Sequence, residues 1–575
     1  MTISTWGCAT RRCALCAVAA FALAALAFPT SLSGQEFPLG LRPQPFYPGN
    51  LVVSRSVYDN RASNVTVGQA LPPDCPQASG GCVTATSNGL YPYVFNNDVT
   101  DASFGITSRI YLDQMTPWGW PVSTLEVPNS LQWGVGPNRN QLVTSFSSKS
   151  EMALNLSTDR RYLTFMGYVA PVNAVDASNS NTPGIVDPTN PAGGSYYRAV
   201  ARVDQRGSFT FTETRSYSGN NGRAAILNNS NASEFYYTAG NAGNGADPEP
   251  VNVILGAGAQ LMQPTDAPES VQNPPLPPLP LGGFSVTELG DKADKKVGKD
   301  TNFRGIAIFK NVLYYTKGSG GNGVNTVYFV DTTGTACPKG TGLPIPGAAL
   351  PNQPLNYDPS TIQTNGLPNN MCVLNGFPTL SNKAGNPVNF PFGIWFADAN
   401  TLYVADEGDG YTGGTDLYTH AAAQTLAGLE KWVFNASTGS WTLAYTLTNG
   451  LNLGTPYTVR GYPTENNLGT ATTTIPTGLP WSPATDGLRN LTGRVNRDGT
   501  VTIWAITSTV SGSGDPGADP NRLVVITDKL NNTTAAGAAS EKFYTLRTAQ
   551  FAEVLRGVSF TPGTSVADDD HDGGK

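Results

Sequence analysis

The chain has 575 residues, of which only 13% are charged, with 63 glycines, 44 prolines and a formal net charge of −7. A hydrophobic fraction of 39% suffices for a large core and argues against global disorder. A mildly acidic chain without a basic stripe is not expected to bind nucleic acid. Gly, Asn and Pro between short apolar runs are typical of many strands joined by turns, so the sequence predicts an all-β fold.

The N-terminus has the pattern of a secretory signal peptide, which we assign to residues 1–34. Arg11 and Arg12 precede an apolar run over residues 13–28, and small residues follow before Gln35. The run is shorter than the roughly 20 residues that a membrane-spanning helix needs, and an uncleaved anchor is the alternative. We therefore expect a secreted chain (extracellular, periplasmic or at the cell surface), without a membrane span after cleavage.

The cysteines of the mature chain fall into two pairs. Three of the seven lie in the signal peptide: Cys8, Cys13 and Cys16. An even number in an exported chain favours two disulfides, Cys75 with Cys82 and Cys337 with Cys372. Metal ligation by thiolates is the alternative, but the pairs lack CxxC spacing and no histidine is near.

A pair of apolar strands joined by a tight polar turn recurs five times and predicts the inner strands of propeller blades. In the fourth copy the runs 392–396 and 402–406 flank the turn 398–400. Most copies are followed by two further strand-like runs, which completes a four-stranded blade. The copies begin near Ala153, Arg223, Arg304, Phe392 and Arg489.

The two ends of the mature chain together supply one more blade. Residues 556–563 form a first strand without a partner, and residues 50–58 form a second strand without a first. Residues 109–113 and 122–127 supply the third and fourth strands. Pairing the terminal strands would leave no exposed sheet edge in the ring.

The sequence therefore predicts a single six-bladed β-propeller over residues 35–563, followed by a disordered acidic tail at 564–575. A seven-bladed ring is the alternative, with a degenerate blade in 251–289 or in 337–372.

The run 390–406 resembles the repeat of NHL-type and related six-bladed propellers. Segments along most of the mature chain, such as 51–53 and 402–406, are similar to a group of exported microbial β-propeller proteins. The resemblance implies the fold and export, and it carries no catalytic signature.

The long connections are predicted to lie on one face of the ring, where each innermost strand begins. Loops on one face of a rigid scaffold are where binding sites form. These connections are 59–103, 171–195, 335–387, 409–428 and 448–486.

Four repeats place an arginine at the start of the innermost strand, and Glu151 and Phe392 occupy the equivalent region in the other two. Equivalent positions in a closed ring face the same channel, and guanidinium groups suit carboxylate or phosphate oxygens. We therefore expect an anionic ligand at the channel mouth; the alternative is that each arginine pairs with a neighbouring blade. The arginines are Arg223, Arg304, Arg489 and Arg556.

Asp406, Glu407, Asp409 and Asp416 lead into a long insertion and are candidate Ca²⁺ ligands, because calcium prefers oxygen ligands. The alternative is a solvated acidic loop. Calcium is thus the one cofactor considered, and the sequence makes none certain.

Two other residue types bear on chemistry. The chain has two histidines, so a zinc site built on several histidines is excluded and a Ser–His–Asp triad would depend on His420. Trp118, Trp120 and Trp133 are interpreted either as sugar-stacking residues or as edge packing.

We interpret the chain as a secreted, monomeric recognition propeller whose long-loop face and channel mouth bind an anionic small molecule, a carbohydrate or an extracellular protein. The alternative is a calcium-assisted hydrolase or lactonase at the channel mouth, so the sequence leaves open whether the protein is an enzyme.

Overall fold

A computed structural model describes residues 45–565, with gaps. The residues outside the description in that span are 60, 65, 67, 72–82, 85–104, 137–138, 186–194, 231–233, 243–257, 266–301, 319–323, 338–339, 353–370, 381–388, 412–413, 463, 465–477 and 514–516. The predicted signal peptide, the Cys75–Cys82 pair and all but the first two residues of the predicted tail also lie outside the described residues.

The described part of the chain is almost entirely β-strand and turn. Its two helical elements are a 3-10 turn at Ala62–Asn64 and the helix α1 at Leu417–Ala423. Among the described residues, no helix has the length and hydropathy needed to span a membrane.

The strands follow one another in short runs along the chain. In chain order the first are β1 (Leu51–Val57), β2 (Ala70–Leu71), β3 (Val83–Thr84), β4 (Thr107–Met115), β5 (Pro121–Glu126), β6 (Thr144–Ser145), β7 (Asn155–Leu156), β8 (Tyr162–Tyr168), β9 (Arg198–Asp204), β10 (Phe209–Thr214), β11 (Gly222–Asn228), β12 (Phe235–Gly240) and β13 (Gly258–Met262). The remainder are β14 (Phe303–Phe309), β15 (Val312–Lys317), β16 (Thr326–Val330), β17 (Thr341–Gly342), β18 (Met371–Leu374), β19 (Pro391–Asp398), β20 (Thr401–Asp406), β21 (Gly428–Asn435), β22 (Ser440–Leu447), β23 (Ala484–Val495), β24 (Thr500–Val510), β25 (Arg522–Lys529), β26 (Tyr544–Thr548) and β27 (Glu553–Phe560).

Six small sheets form the blades of a β-propeller. From the innermost strand outward, blade 1 is β7-β8-β9-β10, blade 2 is β11-β12-β13, blade 3 is β14-β15-β16-β18, blade 4 is β19-β20-β21-β22, blade 5 is β23-β24-β25-β26 and blade 6 is β27-β1-β4-β5. Each innermost strand contacts the innermost strand of the next blade, from β7 through β11, β14, β19, β23 and β27 back to β7. The six-bladed prediction is therefore confirmed over the seven-bladed alternative.

The ring is closed by strands from the two ends of the propeller. β27 and β1 pair antiparallel, with Val52 opposite Ser559 and Val53 opposite Val558. β1 also pairs with β4, and β4 pairs with β5, in the order that the sequence predicted. Blade 6 therefore joins chain segments some 500 residues apart, and no innermost strand is left without a neighbour.

Apolar side chains fill the space between neighbouring blades. The innermost β11 is buried along its whole length, whereas the outer β5 is mostly exposed or half-buried. Aromatic rings join blades 3 and 4, where Phe309 stacks on Phe396 with ring centroids 4.5 Å apart. Offset aromatic stacking adds to the free energy gained from burial alone.

The backbones of neighbouring innermost strands approach closely at two glycines on opposite sides of the ring. In blade 3, Gly305 donates its N–H to Thr316 Oγ1 at 2.7 Å, and that hydroxyl donates to the carbonyl of Phe392 in blade 4. In blade 6, Gly557 donates to Ser54 Oγ at 2.8 Å, and Ser54 donates to Met152 O of blade 1 at 3.0 Å. A Cβ at Gly305 would lie 2.1 Å from the Phe392 oxygen, so only glycine fits there.

The region 335–387 departs from the sequence prediction. β18 pairs antiparallel with β16 as the fourth strand of blade 3, and β17 pairs with β18. Because β18 divides the region, its first part connects the third and fourth strands and emerges at the end opposite the predicted face. The expectation that all of 335–387 lies on the long-loop face was wrong.

The disulfide Cys337–Cys372 is confirmed, with its Cα atoms 5.8 Å apart. It ties the connection that follows β16 to the outer strand β18. The described strands of the two segments that were candidates for a seventh blade belong to existing blades, since β13 is the third strand of blade 2 and β18 the fourth of blade 3.

Candidate functional site at the end of the propeller axis

The ring residues predicted from the repeats are buried where the innermost strands begin. Their exposed fractions are 4% for Arg223, 8% for Arg304, 5% for Arg489, 3% for Arg556 and 1% for Glu151. Side chains that are so buried need partners, because a buried charge without them is costly.

Glu407 joins two of these arginines. It follows directly after β20, and its carboxylate oxygens lie 3.7 Å from Arg304 Nη2 and 3.2 Å from Arg489 Nε. The three residues belong to blades 4, 3 and 5 respectively, so one carboxylate connects three blades. Burial lowers the pKa of Arg304; the Glu407 charge opposes this shift, and the Arg489 charge adds to it.

Arg223 reaches from blade 2 toward blade 3. Its Nε donates to Asn221 Oδ1 at 2.9 Å, and its Nη1 donates to the Phe303 carbonyl at 2.9 Å and to Asn302 Oδ1. Burial, together with the positive charge of Arg304, places the pKa of Arg223 well below its usual range.

Arg556 reaches from blade 6 toward the connection that leads into blade 1. Its Nε donates to Ser56 Oγ at 3.2 Å, and its two terminal nitrogens donate to the carbonyls of Ser148 and Phe146. Like Arg223, it is held by neutral acceptors.

Glu151 lies across the ring from Glu407 and accepts hydrogen bonds from neutral donors. It accepts from Thr144 Oγ1 at 2.6 Å, from the Ser145 N–H at 2.9 Å, and from the Tyr168 hydroxyl. Asn221 also donates to it at 3.4 Å. We call the group Arg223, Arg304, Arg489, Arg556, Glu151 and Glu407 the arginine plug.

The four carboxylates predicted as calcium ligands have separate partners. Asp406 accepts backbone N–H groups, Glu407 belongs to the arginine plug, Asp409 lies 2.6 Å from His420 Nε2, and Asp416 accepts from the Tyr411 hydroxyl at 3.0 Å. The described residues contain one trio of His, Cys, Asp or Glu with ligand atoms within 4.8 Å of one another, and these four carboxylates are not in it. It consists of Asp331 and the two cysteines of the disulfide.

Two further buried acids lie beside this loop and were not found by the sequence analysis. Burial raises the pKa of Glu430, and the nearby Asp406 charge adds to the shift. Burial raises the pKa of Asp486 to about 7, with smaller contributions from Asp409 and Glu407. For Glu430 the sequence offers one signal, an acidic residue inside the apolar strand run LEKWVF. For Asp486 it offers none, because this residue lies far along the chain from Glu407.

The insertion of blade 4 reaches the opposite side of the axis. Gly410 donates its N–H to Asp486 Oδ2 at 2.9 Å. A Cβ at Gly410 would lie 3.9 Å from the Nζ of Lys149, which precedes blade 1. Since blades 1 and 4 face each other in a ring of six, this contact lies over the arginine plug.

The partly exposed side chains beside the arginine plug include charged, polar and aromatic groups. His420 pairs with Asp409, and the Tyr411 ring stacks on the His420 ring with centroids 4.2 Å apart. Lys149 is half-buried. Together they form a rim with a cation, a His–Asp pair and an aromatic face.

The three tryptophans that the sequence analysis singled out are strongly exposed. Trp118 is 77%, Trp120 is 72% and Trp133 is 83% exposed. The first two lie in the hairpin between β4 and β5, whereas Trp133 lies in the connection that leaves the other end of β5. They therefore do not form one patch.

No protein-family model matches the chain, and no curated protein matches it. Among solved structures, it is similar to a PL25-family polysaccharide lyase, an ulvan lyase bound to GlcA(1-4)Rha3S, with a TM-score of 0.29 and 10% identity over 80% of this chain and 93% of that chain. It is also similar to NanB with Optactamide, with a TM-score of 0.21 and 8% identity over 78% and 63% of the two chains. Scores this low carry no inference about function, and the resemblance to NHL-type repeats stays a prediction.

Proposed function

We propose that the protein is a secreted recognition propeller that binds an anionic ligand over the arginine plug. The ligand class is a sugar acid, a phosphate or a peptide carboxylate. The observation that carries the proposal is the composition of the plug, in which four buried guanidinium groups share the starts of the innermost strands with two carboxylates.

Burial is the main cause of the lowered pKa of Arg223 and of Arg304, and repulsion between neighbouring guanidinium groups adds to it. The charge of Arg304 contributes to the lowered pKa of Arg223, and the charge of Arg489 contributes to that of Arg304. Charges act over longer distances in a poorly polarisable interior than in water. Asp486, with its pKa raised to about 7, is only partly ionised near neutral pH and offsets part of this charge.

In this proposal the buried arginines attract the ligand electrostatically, and the residues of the rim contact it directly. The guanidinium groups already donate to protein atoms, so their contribution is a fixed positive field that attracts an anion. The half-buried Lys149, His420 and Tyr411 supply the polar and aromatic groups that a ligand would contact. The confirmed disulfide supports export, because disulfides persist in oxidising compartments.

Ligand binding can be tested by thermal shift and calorimetry with glucuronate, inorganic phosphate and neutral glucose. We expect the anions to bind more tightly than glucose, and only anion binding to depend on Lys149. Lys149→Gln should weaken anion binding by about two- to fivefold, since one charge at a partly exposed position contributes up to about 1 kcal/mol. Lys542→Gln, an exposed lysine between β25 and β26, is the matched control. Anion affinity that is absent, or equal in both variants, would contradict the proposal.

Calcium-assisted hydrolysis is the competing function, and the separate partners of Asp406, Glu407, Asp409 and Asp416 favour recognition over it. A calcium titration of the same protein distinguishes the two. Stoichiometric Ca²⁺ binding that disappears in Asp409→Asn would support a metal site at the rim and the enzyme interpretation.

A further inference from the structure

We propose that the Trp118–Gly119–Trp120 turn is a saccharide-binding platform, separate from the arginine plug. The turn joins β4 and β5, the third and fourth strands of blade 6. Such turns lie at the end of the propeller opposite the starts of the innermost strands. The proposal is independent of the anion site proposed above.

The exposure of the two indole rings is the first observation. Trp118 is 77% and Trp120 is 72% exposed, and the next exposed apolar residue, Val122, follows on β5 at 41%. Tryptophan is normally highly buried. Edge packing, which was the other interpretation of these residues, does not account for them.

The turn that carries the rings is held rigidly. Thr116 donates its N–H to the Trp120 carbonyl at 2.8 Å, and Gly119 donates to the Thr116 carbonyl at 2.9 Å. Trp504 of blade 5 donates its indole N–H to Pro117 O at 2.9 Å. A binding surface that is already ordered loses little conformational entropy when it binds.

A glycine between the two tryptophans is required by the packing of the turn. Gly119 has φ = +90°, and a Cβ there would lie 3.2 Å from Leu546 Cβ of β26. The backbone therefore lies flat against blade 5, and the flanking side chains are left projecting into solvent.

The charges beside the turn favour a neutral ligand. Asp113 pairs with Arg55 at 2.6 Å and with Arg547 at 2.8 Å, and Arg55 also pairs with Glu553 at 2.6 Å. The two cations and two anions of this cluster thus neutralise each other, so the cluster itself offers no net positive charge to an anionic lipid surface. Flat aromatic faces beside polar groups suit the apolar C–H faces and hydroxyl groups of a pyranose chain.

The test uses the full chain and the double variant Trp118→Ala/Trp120→Ala, with Trp133→Ala as the matched control of an exposed tryptophan elsewhere. Binding is measured by co-sedimentation with cellulose, chitin and xylan and by affinity electrophoresis in starch. We expect wild type and Trp133→Ala to bind at least one polysaccharide, and the double variant to bind it at least tenfold more weakly with an unchanged melting temperature.

Several outcomes would overturn the proposal. They are the absence of wild-type binding to all four polysaccharides, and binding that survives in the double variant. If the wild type binds phosphatidylcholine vesicles, with or without phosphatidylglycerol, and the double variant does not, the turn is a membrane contact. If the wild type self-associates and the double variant does not, the turn is an interface with a second copy of the chain. Lys149→Gln should leave polysaccharide binding unchanged, so failure of the anion site and failure of this platform are distinguishable.

Discussion

Glu407 connects three blades through one carboxylate, and this makes it the most sensitive residue of the arginine plug. Replacing it by glutamine removes the carboxylate that lies between the buried Arg304 and Arg489. We expect Glu407→Gln to lower the free energy of unfolding by about 3–5 kcal/mol, because breaking a buried ion pair leaves an uncompensated charge. Denaturant unfolding followed by tryptophan fluorescence measures the change.

Glu430→Gln is the matched control, with the same chemical change in the same blade. Glu430 accepts from Asn389 Nδ2 at 3.0 Å and from Trp432 Nε1 at 2.8 Å. Since its raised pKa favours the protonated form, a neutral glutamine should cost only about 1 kcal/mol, the value of one lost hydrogen bond. Equal losses in the two variants would contradict the bridging role of Glu407.

At the scale of single residues, the repeats predict where a side chain lies in the ring but not which residue it contacts. The sequence places Arg223, Arg304, Arg489 and Arg556 at one end of the axis because equivalent residues of a repeat are equivalent in the ring. It does not show that Glu407 turns toward them. Which carboxylate fills a gap between blades depends on three-dimensional packing, and that information is not periodic in the sequence.

The disulfide Cys337–Cys372 acts on one element, the outer strand β18 of blade 3. The cysteines are 35 residues apart, and closing a loop of this length stabilises a fold by about 3–4 kcal/mol in the chain-entropy model. We expect the double variant Cys337→Ser/Cys372→Ser to lose up to this amount. A reductant should lower the melting temperature of wild type by at least this amount, and that of the variant only by the smaller amount that reduction of the predicted Cys75–Cys82 disulfide causes.

The Cys75–Cys82 pair provides an internal comparison for that experiment. Peptide mapping without reduction shows whether this predicted disulfide forms. The predicted Cys75–Cys82 disulfide closes a much shorter loop, so Cys75→Ser/Cys82→Ser should cost less stability than the blade 3 variant. A larger cost at Cys75 and Cys82 would contradict the loop-length argument.

At the scale of elements, the strands that the sequence predicts best are the innermost two of each blade. Their apolar runs are continuous and separated by short turns, as in the hairpin of β19 and β20. β18 was not predicted, because its four residues follow a long connection and pair with the distant β16. The pairing of so short a strand with a distant one depends on the free edge of β16 and on the disulfide Cys337–Cys372.

At the scale of the whole molecule, buried carboxyl groups set the dependence of stability on pH. Burial raises the pKa of Asp486 and of Asp519 to about 7, and it also raises the pKa of Asp406 and Glu430. In the unfolded chain such groups lose their proton near pH 4. Between these values the folded state binds more protons than the unfolded state, so stability falls as the pH rises.

Other carboxyl groups have the opposite effect at lower pH. Burial opposes the shift, but the hydrogen bond and charge of Arg55 hold the pKa of Asp113 below its usual value. Its contribution is present above the unfolded pKa and is lost as the pH falls through the folded pKa. The two classes together place the greatest stability in mildly acidic solution.

Asp519 is the residue at which this dependence can be tested most cleanly. Its Oδ1 accepts from Ser511 Oγ at 3.0 Å, from Ser513 Oγ at 3.3 Å and from the Tyr462 hydroxyl, all of which asparagine can reproduce. We expect wild type to be less stable at pH 8 than at pH 5, and Asp519→Asn to reduce that difference by about 2–3 kcal/mol. Asp498→Asn, at an exposed turn, should leave the difference unchanged. Urea unfolding at the two pH values measures it, and a wild type that is more stable at pH 8 would show that these buried acids ionise normally in the closed ring.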